Sequence, residues 1–315
     1  MITVAALSPA LDMTYVVDEL ALGRPHRPSS VVRVPGGKAL NSARAAARLG
    51  AAVTAVPVLG GHVGALVASL LAADGVLAVS VAGSAETRMC VTVASEADAS
   101  LTEIYEHPVP VTAPEWAAAM TILDSSVAPG SWVSVSGGLP AEAGPGLLDI
   151  AQLARSRGAL LALDTHGSAL SSVLESASAS AVALLKVNRE EAAEALGVPE
   201  ATPLSTLVDG LRALSGGRVV VTDGASGSLA GDESGLWHVS LPGSVAFGTY
   251  PVGSGDSYLG GLLAALDAGA DLPAAVALAA GAASANALVP GAAVFDASVA
   301  RALAARVEVT RAARA

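Results

Sequence analysis

Short apolar runs alternate with alanine-rich segments of helical periodicity along most of the chain after Val53. The apolar runs are too short for helices, and they predict strands at Ile2–Leu7, Val53–Val58, Trp132–Ser136, Leu160–Asp164, Val182–Val187 and Val219–Thr222. The periodic segments predict helices at Leu40–Leu49, Gly64–Asp74, Pro145–Ser156, Arg189–Leu196 and Pro203–Leu214. Strands that alternate with helices form βαβ units, so the predicted fold class is α/β, a doubly wound and mostly parallel sheet flanked by helices.

Two regions break this alternation. Polar and apolar residues alternate one by one in Thr14–Val34 and in Arg88–Val109, and no helical segment intervenes. This period of two predicts antiparallel strands with one solvated face. We therefore expect a single α/β domain over residues 1–315 with a small antiparallel β lid, inserted from about 12–35 and 86–110. Exposed strand edges in such a lid would suit a second subunit, which favours a homodimer through the lid.

Composition supports one large soluble core. Of the 315 residues, 52% are hydrophobic and 14% are charged, which excludes a disordered chain. The net charge of −11 argues against partners such as nucleic acid or an anionic membrane, because the summed field repels polyphosphates. Cys90 is the one cysteine, so neither an intramolecular disulfide nor a thiolate metal cage is expected.

One uncharged segment requires a membrane test. Leu272–Phe295 is long enough to cross a bilayer, but it is rich in alanine and contains Gly281 and Asn286. A buried helix of a soluble core explains this composition better. The N-terminal residues contain no basic stretch followed by a long apolar run, so we expect a cytoplasmic protein without a secretory signal.

The strongest local motif is Val252–Tyr258, which precedes a helix-like segment at Leu259–Ala268. Gly253 and Gly255 let the backbone approach an anion, and the following helix presents free N–H groups to it. Asp256 falls in the first turn of that helix. Two interpretations stay open: the carboxylate complements the helix dipole, or it is a general base beside a phosphate cradle.

Both lysines of the chain lie at junctions that lead into a helix. Lys38 follows the pair Gly36–Gly37, and Lys186 lies near the end of the predicted strand Val182–Val187, just before Asn188. Lysine is otherwise absent from the chain, which has fifteen arginines. Doubly wound sheets bind ligands at such junctions, although coincidence also accounts for two residues. Val221–Gly227 is typical of an ordinary hairpin with a two-glycine turn.

Two groups of arginines differ in the environment that the sequence predicts for them. Arg88 and the pair Arg24 and Arg27 lie in the lid-like regions, where they would direct phosphate-binding groups towards a cleft. Arg44 and Arg48 are four residues apart on a predicted helix, and we expect them on a solvated face.

Four motifs, taken in this order, resemble those of the ribokinase-like (PfkB) carbohydrate kinases. They are Ser8–Pro9–Ala10–Leu11–Asp12, then Gly36–Gly37–Lys38 with Asn41 and Ala43–Arg44, then Lys186 with Asn188 and Glu191, and finally Gly253–Ser254–Gly255–Asp256. The match extends from residue 1 to about residue 290. It is most similar to the 1-phosphofructokinase and tagatose-6-phosphate kinase branch.

The resemblance implies an ATP- and Mg²⁺-dependent kinase in which Asp256 is the catalytic base and Gly253, Ser254 and Gly255 form the anion hole. The acceptor contacts that it implies are Asp12, Gly36, Gly37 and Asn41, with Lys38, Arg88 and Arg27 as cations for a sugar phosphate. The ATP contacts that it implies are Lys186, Asn188, Thr222, Gly224, Gly227 and Asn286. Asn188 and Glu191 would position magnesium through water.

Several positions depart from the branch, and all of them border the sugar site. Gly138 replaces a serine, Ala39 replaces a glycine, and Tyr105 and His107 stand where asparagine and glycine are usual. The resemblance, with Lys38, Arg88 and Arg27 as cations, implies a ketohexose phosphate as the acceptor, such as fructose 1-phosphate, fructose 6-phosphate or tagatose 6-phosphate, but these departures put the acceptor in doubt. A kinase for an unphosphorylated sugar or a nucleoside, or a non-catalytic sugar-responsive binding protein, stays open.

Overall fold

A computed structural model describes residues 1–138, 146–242 and 248–312. In these residues the strands are β1 (Ile2–Ala6), β2 (Ala10–Val17), β3 (Ser30–Gly36), β4 (Val53–Leu59), β5 (Leu77–Ala78), β6 (Val81–Ala82), β7 (Arg88–Ser95), β8 (Ser100–Tyr105), β9 (Trp132–Ser136), β10 (Leu160–Asp164), β11 (Val182–Asn188), β12 (Arg218–Thr222), β13 (Ser228–Asp232), β14 (Gly235–Ser240) and β15 (Glu308–Ala312). The α-helices are α1 (Lys38–Arg48), α2 (Gly61–Ala73), α3 (Ala113–Ser126), α4 (Leu147–Arg157), α5 (Gly167–Leu174), α6 (Arg189–Leu196), α7 (Leu204–Ser215), α8 (Ser254–Asp267), α9 (Leu272–Ala287) and α10 (Ala297–Ala304).

The large sheet has the order β15-β14-β13-β12-β11-β10-β9-β1-β4-β5, and β6 also pairs with β4. Strands β12 to β5 along this order are parallel, whereas β13, β14 and β15 pair antiparallel. The six predicted strands agree with observed ones to within a residue at each end. The structure confirms the predicted α/β class with a mostly parallel sheet.

Both faces of the parallel sheet are apolar because each is covered by helices. Along β1, Ile2, Val4 and Ala6 join one hydrophobic cluster, whereas Ala5 joins the other. The first cluster includes side chains of α1, α8 and α9, and the second includes side chains of α3, α4 and α7. This alternation follows from the two-residue period of a strand, and continuous apolar runs result where both faces are buried.

A second sheet, here called the lid sheet, has the order β3-β2-β7-β8. The pairs β2–β3 and β7–β8 are antiparallel, as the alternating pattern predicts. The two hairpins meet through β2 and β7, which run parallel from Ala10 opposite Arg88 to Val17 opposite Ser95. The pattern of single residues did not indicate this central parallel pair, because it requires two segments that are distant in sequence.

The uncharged segment predicted as a buried helix contains α9, whose residues Ala275, Val276, Ala279 and Ala282 are buried in the core. Among the described residues, no helix is both long and apolar enough to cross a membrane. The predicted helix Pro145–Ser156 corresponds to α4, although Pro145 lies outside the described residues.

The prediction of a solvated face for Arg44 and Arg48 is wrong for Arg44, which is 0% exposed. Its Nε donates to Asp74, and its Nη1 donates to the carbonyl oxygens of Pro35 at 3.2 Å and Ala292 at 2.9 Å. Arg48 stays near the surface and bonds to Asp74 at 2.9 Å. A buried guanidinium needs such partners to offset the loss of water, and helix spacing alone does not reveal them.

We expect Arg44→Met to lower the free energy of unfolding by about 3 kcal/mol, because it leaves Pro35 O and Ala292 O without their donor. The matched control Arg48→Met removes a partly exposed ion pair with the same Asp74 and should cost less than about 1 kcal/mol. Urea unfolding followed by circular dichroism measures both values. Equal losses in the two variants would contradict the structural role of Arg44.

Candidate active site

A cleft runs along the carboxyl ends of the parallel strands, where the N-termini of α1, α6 and α8 converge. Its first part, here called the lid hollow, encloses about 540 Å³ and is lined by Asp12, Lys38, Asn41, Arg88, Lys186 and Asp256, among others. Its second part, the hairpin hollow, encloses about 360 Å³ and is lined by Thr222, Gly224, Gly227, Tyr258, Ala283 and their neighbours. Thr222 and Gly255 line both parts, so the cleft is continuous.

The start of α8 lies at this junction. Gly253 precedes the helix with φ +80°, a left-handed conformation that favours glycine, and a Cβ there would lie 2.5 Å from Ala292 Cβ. The N–H groups of the first helical turn, to which Gly255 and Asp256 belong, have no intrahelical acceptors. The geometry therefore provides a backbone site for an anion beside a carboxylate.

The Asp256 carboxylate is 8% exposed and accepts a hydrogen bond from Asn41 Nδ2 at 2.9 Å. Burial, and then the nearby charge of Asp164, raise the pKa of Asp256 to about 6. The hydrogen bond from Asn41 and the charges of Lys186 and Lys38 oppose this rise. The pKa of Asp256 is therefore closer to neutral pH than that of an ordinary carboxyl group. A general base works best when its pKa lies near the working pH of the enzyme.

Asp164 brings the two lysines of the chain together beneath the cleft. Lys186 Nζ lies 2.7 Å from Asp164 Oδ2, and Lys38 Nζ lies 3.9 Å from Asp164 Oδ1 and 3.5 Å from Glu191 Oε1. Burial lowers the pKa of Lys38, but the charges of Asp164 and Glu191 raise it more strongly, and the net shift is upward. The ammonium groups of Lys38 and Lys186 thus both lie next to Asp164, and that of Lys38 also lies next to Glu191.

Sequence reasoning did not single out Asp164. The one available signal was its place at the end of the predicted strand Leu160–Asp164, where a doubly wound sheet binds ligands. Asp164 is fully buried, and its Oδ1 has no hydrogen-bond partner in the described part of the chain.

Asn188 and Glu191 form a capping box at the start of α6. Asn188 Oδ1 accepts from Glu191 N at 2.8 Å, and Glu191 Oε2 accepts from Asn188 N at 2.9 Å. Glu191 Oε1 faces Lys38, and His166 Nδ1 lies 3.7 Å away from it. The described residues contain no cluster of three histidine, cysteine or acidic side chains suited to a metal ion. Acidic oxygens are nevertheless present at Asp164 and Glu191.

At the opposite end of the lid hollow, Asp12 lies against Gly36. A Cβ at Gly36 would come within 2.0 Å of Asp12 Cγ, so the approach requires glycine. Burial raises the pKa of Asp12, and a hydrogen bond from Asn41 partly opposes the rise. Arg88 donates to Glu106 O at 3.1 Å and to Ser8 O at 3.4 Å. Its guanidinium has therefore no carboxylate among these partners.

Two of the expected contact residues, Arg27 and Asn286, do not line the cleft in the described part of the chain. Arg27 is exposed in the loop between β2 and β3 and is not among the described residues that line the cleft of this chain. Asn286 is fully buried, and its amide donates to Val252 O at 2.8 Å while its Oδ1 accepts from Ala293 N at 2.7 Å. These hydrogen bonds hold the loop before α8, and the nucleotide contact expected for Asn286 stays a prediction.

The hairpin hollow has a wall of small apolar side chains. The hairpin β12–β13 supplies Thr222, Gly224 and Gly227, in agreement with the ordinary hairpin that the sequence indicated. Ala280, Ala283 and Ala287 of α9 form the opposite side. Sequence analysis missed the hydroxyl pair of Tyr258 and Ser228, which lie 2.8 Å apart in this hollow.

The sequence matches the description "pfkB family carbohydrate kinase" over residues 3–298. The chain belongs to this family. Its structure is similar to phosphofructokinase-2 from Escherichia coli, solved with substrates and products, with a TM-score of 0.87 and 27% identity, covering 97% of this chain and 98% of that one. It is also similar in fold to a possible 1-phosphofructokinase from Thermotoga maritima, with a TM-score of 0.86 and 20% identity, covering 99% and 100%.

These findings confirm the suspected family and the predicted enzyme class. The protein is a carbohydrate kinase of the pfkB family, a phosphotransferase with an alcohol group as acceptor. Membership implies ATP as the phosphoryl donor and a divalent metal ion.

We expect Gly36→Ala to lower kcat/KM for the acceptor about 100-fold, because the new Cβ must displace the Asp12 carboxylate by an ångström or more. Gly138→Ala, at a second glycine of the same hollow, is the control variant: a Cβ there meets no atom of the described residues within 4 Å, so a smaller loss is expected. A coupled ADP-release assay with the best acceptor from a panel of phosphorylated hexoses measures both. Activity of Gly36→Ala equal to that of the control would show that the position of Asp12 is not needed.

Proposed function

We propose that this kinase transfers the γ-phosphoryl group of ATP to a hydroxyl of a ketohexose phosphate, with Asp256 as general base. Fructose 1-phosphate, fructose 6-phosphate and tagatose 6-phosphate are the candidate acceptors. The observation that carries the proposal is the buried Asp256 carboxylate at the start of α8, at the junction of the two hollows. A base in this place lies between an acceptor in the lid hollow and a nucleotide in the hairpin hollow.

The lid hollow fits a phosphorylated sugar. Asp12, Gly37 and Asn41 supply polar groups for sugar hydroxyls, and Arg88 at the lid end supplies the cation for the phosphate. The similar phosphofructokinase-2 from Escherichia coli has been solved in complex with fructose-6-phosphate, at 26% identity, which supports an acceptor of this class. The hydrogen bonds that Arg88 donates go to the carbonyl oxygens of Glu106 and Ser8, and the carboxylate of Asp12 interacts with its charge without such a bond, so the guanidinium can still pair with a phosphate.

The hairpin hollow fits ATP. The small alanine side chains of α9 leave room for the adenine ring of ATP. Thr222, Gly224 and Gly227 would place backbone and hydroxyl groups near the ATP phosphates. Asp164 and Glu191 offer acidic oxygens for the water shell of Mg²⁺, and Asp164 Oδ1 accepts no hydrogen bond from the described residues. Mg²⁺ held there would neutralise charge on the phosphates.

In the mechanism, Asp256 accepts the proton of the attacking hydroxyl. The N–H groups at the start of α8 face the position of the transferring group, and Lys186 and Lys38 supply positive charge beside it. Phosphoryl transfer demands mainly positioning and charge neutralisation, and these residues provide both. Asn286 holds the loop that precedes α8 and acts through that loop.

A second acceptor class has support from the lid end. Glu103 and Tyr105 line the lid hollow beside Arg88, and a carboxylate there suits the hydroxyl of a neutral sugar or nucleoside.

A homodimer through the lid is also proposed. Its support is the outer strand β8, where Ile104 is 63% exposed and Tyr105 is 52% exposed.

We expect Asp256→Asn to fold normally and to lower kcat about 10²- to 10⁴-fold, because the amide does not accept the proton. In the native enzyme, kcat/KM should rise as the pH increases through about 6, since burial raises the pKa of Asp256 and only the ionised form is a base. Coupled assays at several pH values, with calorimetric binding of ATP as a folding control, test both statements. Turnover near that of the native enzyme would remove Asp256 from the mechanism.

We expect Arg88→Ala to raise the acceptor KM at least about tenfold and to leave the KM for ATP nearly unchanged, because a charged hydrogen bond to phosphate is lost. Arg157→Ala is the control, since Arg157 pairs with Asp124 on the surface. Steady-state kinetics with each substrate varied separately give these constants. Equal changes in the two KM values would oppose a phosphorylated acceptor and favour the neutral sugar.

A further inference from the structure

Asn41 connects two of the carboxylates that line the lid hollow, Asp12 and Asp256. Its Nδ2 lies 2.9 Å from Asp256 Oδ2 and 3.4 Å from Asp12 Oδ2. The side chain is 4% exposed, so water does not compete freely for these bonds. Only the amide nitrogen can donate to two carboxylates, which fixes the orientation of the Asn41 side chain.

The packing of two helices holds this arrangement in place. Asn41 lies on α1 and Asp256 on α8, and the helices meet at Gly260, where a Cβ would lie 2.5 Å from Ala45 Cβ and 2.6 Å from Ser42 O. Such a close approach leaves little freedom for either helix to move. The contact between Asn41 and Asp256 therefore follows from the packing of the core.

Other charged groups act on Asp256 through their charge, without a hydrogen bond to its carboxylate among the described residues. Asp164 of β10 repels it, and Lys186 of β11 and Lys38 of α1 attract it. Both ammonium groups already pair with acidic partners, Lys186 with Asp164 and Lys38 with Asp164 and Glu191. Asp12 of β2 adds a second carboxylate that shares the same amide. Asn41 is thus the side chain that donates directly to the base.

We propose that Asn41 is a positioning residue for the base: its amide holds the Asp256 carboxylate in the orientation and charge state that proton abstraction needs. This role is distinct from the acceptor contact that the family resemblance implies, and it rests on the proposed function of Asp256. A hydrogen bond to an ionised carboxylate favours the ionised form, and it also restricts rotation of the carboxylate.

The test is the pH dependence of kcat/KM in Asn41→Ala. Loss of the donor should move the acid limb to higher pH by about one unit, so that activity at pH 6 falls further than activity at pH 8.5. Ser42→Ala is the matched control, because Ser42 is buried next to Asn41 on α1 and donates only to Ala39 O at 2.9 Å. Its acid limb should coincide with that of the native enzyme.

Asn41→Asp covers the case in which Asn41→Ala does not fold. It keeps the size of the side chain and replaces the donor with a third carboxylate, so its acid limb should also move to higher pH. Thermal unfolding confirms that each variant is folded before kinetics are compared. An acid limb that stays in place in the folded variant, with only the acceptor KM increased, would overturn the proposal and leave Asn41 as a sugar contact.

Asp256→Asn separates this proposal from the one on which it rests. If Asp256→Asn retains turnover, the assignment of the base fails, and the positioning role fails with it. If Asp256→Asn is inactive while the Asn41 variants keep the native acid limb, the base stands and only the role of Asn41 is refuted.

Discussion

The close packing of α1 against α8 is the contact on which the site depends. α1 begins with Lys38 and carries Asn41, and α8 carries Asp256 in its first turn. Gly260 allows the two backbones to approach, so the loop before α1 and the loop before α8 have one fixed relation. Arg44 reinforces this relation from within the core, because its guanidinium joins Pro35, which precedes Gly36, to Ala292, which packs on Gly253.

The two lysines of the cleft are paired with carboxylates, in a protein that is acidic as a whole. The net charge is −11, yet both lysines gather around Asp164. Each ammonium has a carboxylate partner, and for the buried Lys186 the ion pair with Asp164 offsets part of the cost of removing the charge from water. The same arrangement keeps positive charge close to the start of α8, where phosphoryl transfer would need it.

Much of the fold and part of the site could be predicted from the sequence because the signals are local. Buried parallel strands give continuous apolar runs, and Gly253 and Gly36 stand where helices begin. Arg44, Asp164 and Asn286 could not be placed in this way, because their partners lie far away in sequence. Arg44 bonds to Ala292, although helix spacing predicted a solvated face for it, and Asn286 bonds to Val252, a partner that the family resemblance did not indicate. The roles proposed for Asp256 and its neighbours remain predictions until kinetics test them.

The parallel pairing of β2 with β7 has a consequence for folding. These strands are separated in the chain by α1, β4 and α2, all of which belong to the core. Closing so long a loop costs entropy that only a formed core can offset, so the two hairpins of the lid sheet join late. A partly unfolded chain would then lose the lid hollow first, while the hairpin hollow, built on adjacent hairpin and helix segments, would outlast it.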